Sequence, residues 1–212
     1  IDTVTVYRRV PHKIPKLSIS SCLNCLGNIC VFGVADYFSQ RYLARNVVSQ
    51  ITAWEIVVTP IVWLLVQEVT FYFLHRLAHV PSIYPHVHKL HHKYRYSRPV
   101  YCQFCHLFET LFIQIVDSWS VLLFMKPQFY LALGMSTIMI RHNVGSHRAQ
   151  PEQSNEDVGW HAMHHRDGRY NFGNLTFLDR WMGTEYNGSK VVSAHHDTSS
   201  SNGTGHAIAT SI

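Results

Sequence analysis

Apolar residues run in four blocks along the chain. Residues 17–35 contain no charged side chain, a length that suits a membrane span, although Ser, Asn and Gly weaken it. A polar link over 36–50 carries Asp36, Arg41 and Arg45. Residues 51–74 form a stronger segment with IVVTPIVWLLV at its heart and Pro60 placed to kink it. Two further stretches, 107–125 and 128–140, are joined by Lys126-Pro127 and read as a tight hairpin dipping into the bilayer. Glu68 and Asp117 lie at or near membrane depth, where an unpaired charge costs several kcal/mol, so each is expected to face a protein interior. For Asp117 the alternative is a position near a span end, where it snorkels or pairs. The pattern predicts an all-α fold, an integral membrane helical bundle with a histidine-rich cap on the cytosolic side.

The polar blocks between these stretches, 75–106 and 142–185, carry Arg76, Lys89, Lys93, Arg95, Arg98, Arg166, Arg169 and Arg180. By the positive-inside rule both belong on the cytosolic side. The last 26 residues, 187–212, hold 14 Ser, Thr, Gly or Asn and are expected to be a disordered tail in which His195, His196 and His206 are bystanders. The expected division is therefore an N-terminal lead and weak membrane segment over 1–50, a membrane metal domain over 51–186, and the tail. Because the chain opens on Ile1, an upstream stretch is expected to be missing.

Composition sharpens this picture. Apolar residues make up 47% of the 212 and charged residues only 15%, which excludes disorder for the bulk of the chain. A net charge of +5 is compatible with a nucleic-acid partner, but the basic residues stand beside histidines and hydrophobic runs, which fits a membrane surface better. The five cysteines include two Cys-x-x-Cys pairs, Cys22/Cys25 and Cys102/Cys105, whose separation is far too long for a zinc ribbon. They are read as ordinary buried thiols in a reducing compartment.

Histidine is the unusual count. There are 16, and twelve fall between His75 and His165. His75 and His79 are four apart at the end of the 51–74 span, so both imidazoles share one helical face, with Tyr72 and Glu68 further back on the same stripe. In a second cluster His88 is expected to share a helical face with His91 and His92. There the adjacent pair diverges by about 100° and can reach two neighbouring metals. His161, His164 and His165 repeat that spacing 73 residues later. His142 and His147 lie between the second and third clusters and are candidates to complete the shell. Eight to ten imidazoles exceed what one ion can use, so two metals are implied. The scarcity of acids argues against a ferritin-like carboxylate site, and no His-Glu-x-x-His protease signature occurs. All-nitrogen ligation suits iron, copper, nickel or zinc.

At these residues the chain resembles the membrane-bound fatty acid hydroxylase superfamily, which includes sterol desaturases and methylsterol monooxygenases. The resemblance rests on HRLAHVPSIYPHVHKLHH (75–92), HAMHH (161–165) and NFGNLTFLDRWMGTEY (171–186), and spans about residues 51–186. It implies two iron ions that activate O2 as co-substrate, a lipid or sterol substrate, electrons from a b-type cytochrome or reductase, and an endoplasmic reticulum membrane. Carried over by motif, the implied iron ligands are His75, His79, His88, His91, His92, His142, His161, His164 and His165, with His147 as a tenth. Phe104-Cys-His106-Leu-Phe-Glu109 resembles a His-Pro-x-Glu step of the family, without its proline. It implies that His106 and Glu109 orient ligands, and Glu68 is a further candidate for that role. The expected activity is hydroxylation of a lipid, or oxidation of a sterol methyl group. Desaturation on the same site is the alternative. A reading from another class, a His-rich metal transporter, would move metal across vesicles and leave lipids unchanged. Trp54, Trp63, Phe71, Tyr72, Phe73, Phe108, Phe112 and Trp119 are candidates for the walls of a lipid cleft, or for packing against lipid or core.

Overall fold

The computed structural model describes residues 18–46, 48–94, 99–147 and 160–186. All but Tyr186 fall in one compact unit, Ile14–Glu185. The expected tail over 187–212, the basic lead before residue 17, and Arg95 and Arg98 lie outside the described residues.

Helix α1 (Ile19–Leu43) starts at Ser18, whose hydroxyl accepts from the Ser21 amide and so satisfies one of the orphan donors of the first turn. It runs through most of the stretch read as a polar link. Asp36 and Gln40 stay helical because they are buried together: Gln40 Nε2 donates to Asp36 Oδ2 and to Ser136 Oγ, each at 2.7 Å. Helix α2 (Ala53–Ala78) opens on a reciprocal cap between Thr52 and Glu55 and carries Pro60 inside it. A short turn of helix, α3 (Tyr84–Val87), follows. Helix α4 (Leu107–Phe124) contains a π-helical stretch over Thr110–Ile115, and α5 (Phe129–Ser146) follows after the Lys126-Pro127 turn. Gln128 caps α5 through its side-chain oxygen, and Arg45 N donates to Pro127 O at 2.8 Å, which ties the end of α1 to this turn. Helices α6 (Trp160–Arg166) and α7 (Phe177–Met182) complete the described elements. No strand occurs among the described residues, in keeping with the all-α expectation.

Three of these helices, α1, α2 and α4, are long and apolar enough to cross a membrane. Helices α2, α4 and α5 meet around a core of Trp63, Val121, Leu122, Ala132, Met135 and Met139. The outer faces are apolar as well: Leu23, Val57, Ile61 and Leu123 are all exposed. The inside is the more polar part, holding Asp36, Gln40, Gln67, Glu68, Asp117 and Ser136. Buried polar groups inside and apolar groups outside are what a lipid solvent requires. This is a membrane protein.

Candidate metal centre

Nine imidazoles converge where α2 ends, and they fall into two groups. His75, His79, His88, His92 and His164 form one; His91, His147, His161 and His165 form the other. Within each, the ligand-capable atoms lie within 4.8 Å of one another. The adjacent pairs His91/His92 and His164/His165 each split between the groups, the divergence that neighbouring positions impose. The second cluster is not one helical face, however. The chain leaves α3 through turns into a 3₁₀ segment at His91–Lys93, so His88 joins His92 and leaves His91 to the other group.

Ring orientation follows from the backbone. His75 Nδ1 lies 2.6 Å from Phe172 O, His164 Nδ1 2.6 Å from Tyr170 O, and His147 Nδ1 2.7 Å from Asn143 O. A carbonyl only accepts, so each Nδ1 carries the hydrogen and each Nε2 presents a bare lone pair. The Nε2 atoms are then crowded: His75–His88 and His88–His92 are 3.0 Å apart, His79–His164 3.0 Å, His92–His164 3.1 Å and His91–His147 3.2 Å. The lone pairs of His75, His147 and His164 thus point at neighbouring ring nitrogens, the arrangement that a shared cation would hold together. Two nitrogens bonded at right angles to one ion at about 2.1 Å stand roughly 3 Å apart, so the spacing fits ligation.

Protonation does not compete for these nitrogens near neutral pH. Burial pushes His79 and His147 down to about 4 and His91 to about 3. His88, His92, His161, His164 and His165 also fall well below the ordinary imidazole value, by burial first and mutual repulsion second. Nine converging imidazoles with no thiolate among them suit iron, copper, nickel or zinc.

Glu109 stands behind both groups. Its Oε2 is 3.0 Å from His88 Nδ1 and its Oε1 4.0 Å from His91 Nδ1, and all three residues are buried. It is the acid of the described residues that reaches both groups. Replacing it by Ala is expected to weaken metal retention by about 10- to 100-fold, measured by chelator competition on the loaded protein.

The structure does not bring the remaining candidates to the imidazoles. His142 is exposed, with Nε2 3.3 Å from Asn174 O. Five residues of helix place His142 and His147 about 140° apart, so α5 turns only one of them inward. His106 is exposed and caps the start of α4, accepting from the Phe108 amide. Glu68 and Tyr72 share the stripe of His75 but hold a loop: Glu68 Oε2 accepts from Leu175 N at 2.7 Å, and Tyr72 Oη lies 2.9 Å from Thr184 Oγ1.

That loop, 170–176, is the part the residue types do not announce. It supplies the Phe172 and Tyr170 carbonyls that set His75 and His164. Asp179, fully buried, fixes it by accepting from Phe172 N at 2.9 Å, Gly173 N at 2.8 Å and Thr184 Oγ1 at 2.7 Å. Gly173 is needed for closeness: a Cβ there would stand 2.5 Å from Glu68 Oε1 and 2.8 Å from Leu175 O. The signal lay in the run NFGNLTFLD, but a carbonyl leaves no mark on residue identity.

Beside the imidazoles lies a cavity of about 270 Å³, mostly apolar, between α1, α2, α4 and α5. Phe71, Cys102, Gln114 and Asn143 line it and also line a small void walled by His75, His88, His91, His147 and His161. Of the eight aromatic candidates, Trp63 and Phe71 line the cavity, and Tyr72 packs on Phe172. Trp54, Phe73, Phe108, Phe112 and Trp119 are exposed on the apolar exterior. Among the cysteines, Cys25, Cys102 and Cys105 are buried, whereas Cys22 and Cys30 are exposed.

A helical membrane protein with two buried imidazole groups opening on an apolar cavity defines the class. The fatty acid hydroxylase model matches residues 60–184, and the chain belongs to that family. It is 25% identical to the fatty acid hydroxylase ahd1 of Mycosarcoma maydis over 190 residues, 82% of this chain and 47% of that protein. It is 31% identical to a Delta(7)-sterol 5(6)-desaturase of Candida dubliniensis over 129 residues, 58% of this chain and 33% of the relative. A very-long-chain aldehyde decarbonylase GL1-8 of Oryza sativa subsp. indica is 26% identical over 92 residues, 42% of this chain and 34% of the relative. The chain thus spans a third to a half of the length of these relatives. No solved structure matches.

Proposed function

We propose that this chain is the metal-binding membrane domain of an O2-dependent lipid hydroxylase, with His75, His79, His88, His92 and His164 holding one iron and His91, His147, His161 and His165 a second. The observation that carries the reading is the convergence of imidazole Nε2 atoms to 3.0–3.2 Å in two groups beside a mostly apolar cavity. When bound, the iron pair supplies the reduction of O2 that makes an unactivated C–H bond reactive. In the overall balance one oxygen atom enters the C–H bond and the other leaves as water, with two electrons and two protons taken up from a donor.

The residues of the chain do the positioning. Phe71 and its neighbours hold an apolar chain or ring against the imidazoles and keep water away, which is where a protein adds most to such chemistry. Glu109 and the carbonyls of Phe172, Tyr170 and Asn143 keep the ligand nitrogens aimed. The exposed Arg76, Lys89 and Lys93 flank the histidine end and attract an acidic electron donor such as a b-type cytochrome. These cations also support a cytosolic orientation of the histidine end in an endoplasmic reticulum membrane.

A second reading, desaturation, is favoured by the sterol desaturase relatives. There both oxygen atoms leave as water and a C=C bond forms. Growth of expressing cells under ¹⁸O2 separates the readings. A lipid gaining one ¹⁸O is expected; a lipid lighter by two hydrogens without label would install desaturation, and no lipid change would defeat both.

A further inference from the structure

The cavity beside the imidazoles is mostly apolar, and some of the polar side chains in its lining keep oxygens that lack partners. Asp117 Oδ1, Gln114 Oε1 and Gln103 Oε1 are buried without a hydrogen bond, and all three residues line it. The lining holds no buried unpaired donor among the described residues. A buried unpaired acceptor costs about 1–3 kcal/mol, so three around one cavity mark a place where a donor belongs.

The geometry aims two of them. Trp63 Nε1 donates to Gln67 Oε1 at 3.0 Å, and Gln67 Nε2 donates to Asp117 Oδ2 at 2.9 Å. This relay consumes one carboxyl oxygen of Asp117 and leaves Oδ1 for something else. The π-helical stretch Thr110–Ile115 sets the register of α4. A π turn aligns positions five apart, so Glu109 and Gln114 share a stripe, which ordinary helix then carries on to Asp117 and Ser118. Glu109 and Gln114 line the void next to the histidines; Gln114, Asp117 and Ser118 line the cavity. One stripe of α4 thus runs from the groups that touch the imidazoles into the lipid-sized space.

We propose that this stripe is a hydroxyl reader: Asp117 Oδ1 and Gln114 Oε1 accept from the O–H of a lipid alcohol, ring or chain, and so fix which carbon faces the histidines. The inference deepens the oxygenase reading and rests on it for calling the bound alcohol a substrate.

The test is ligand binding to the full chain in detergent, read by native mass spectrometry and by ligand-induced thermal stabilisation. The probes are cholesterol, its methyl ether, 1-octadecanol and its methyl ether. Wild type is expected to prefer an alcohol over its ether by about tenfold, the worth of one hydrogen bond to a buried carboxyl. Preference for the ring or the chain alcohol tells which source is meant. Asp117→Leu and Gln114→Leu should each reduce the preference to near unity. Gln114→Leu carries the test if Asp117→Leu does not fold, because only Asp117 receives the Gln67 amide. Equal binding of alcohol and ether by wild type, the result for a cavity that holds only water, overturns the proposal. So does a preference unchanged in Gln114→Leu. The readout needs no turnover, so an iron-loaded protein without alcohol preference retires this inference alone. Alcohol preference without any capacity for iron retires the oxygenase reading instead.

Discussion

His91→Ala is expected to abolish lipid oxidation, by at least about a hundredfold, while leaving expression and membrane insertion close to wild type. His91 belongs to the four-imidazole group with His147, His161 and His165, and its Nε2 stands 3.2 Å from that of His147. Removing it takes one of four nitrogens and leaves the helix core around Trp63 untouched. His147→Ala should behave the same way, because His147 is buried in that group with its Nδ1 held by Asn143. His142→Ala should stay within about twofold of wild type, since surface substitutions away from a site change little. Product formation and iron per chain, measured on the three variants side by side, check this. An inactive His142→Ala with an active His147→Ala would reverse the assignment.

The second large effect belongs to a residue that touches no imidazole. Asp179→Ala removes the acceptor of two amides and one hydroxyl, all at a fully buried site. Stranding those donors costs about 1–3 kcal/mol each, so a loss of about 3 kcal/mol or more is expected. The loop 170–176 then loosens, and with it the Phe172 and Tyr170 carbonyls that orient His75 and His164. Iron should be lost first from the five-imidazole group. Asp179→Asn, which keeps one accepting oxygen, should fall between. Thermal unfolding in detergent, followed with metal content, checks both. Full metal occupancy in Asp179→Ala would show that the loop does not set the ligands.

Much of this was legible in the chain. The apolar blocks gave the helices, because a lipid solvent rewards unbroken apolar runs and punishes unpaired charge. The split of His164/His165 follows from adjacent α-helical positions pointing about 100° apart, and that of His91/His92 from the similar divergence of a 3₁₀ turn. Other features could not be read that way. Asp36 and Gln40 looked like a link because their partner, Ser136, lies a hundred residues on from Asp36. His142 and His147 both follow from the motif, whereas the turn of α5 brings only His147 to the other imidazoles. The Phe172, Tyr170 and Asn143 carbonyls and the π turn in α4 are backbone features, which residue types do not encode locally. Glu68 lay on the right stripe but serves the loop, since that stripe extends well beyond the imidazoles.

The most direct measurement is Mössbauer spectroscopy with metal analysis on the full chain, purified in detergent from cells grown on iron-57, comparing wild type with His91→Ala. The account predicts about two exchange-coupled irons per chain in wild type and their loss in the variant. Stoichiometric zinc that survives iron loading and reduction, with no iron signal, would contradict it and point to a non-oxidative metal site or a transporter.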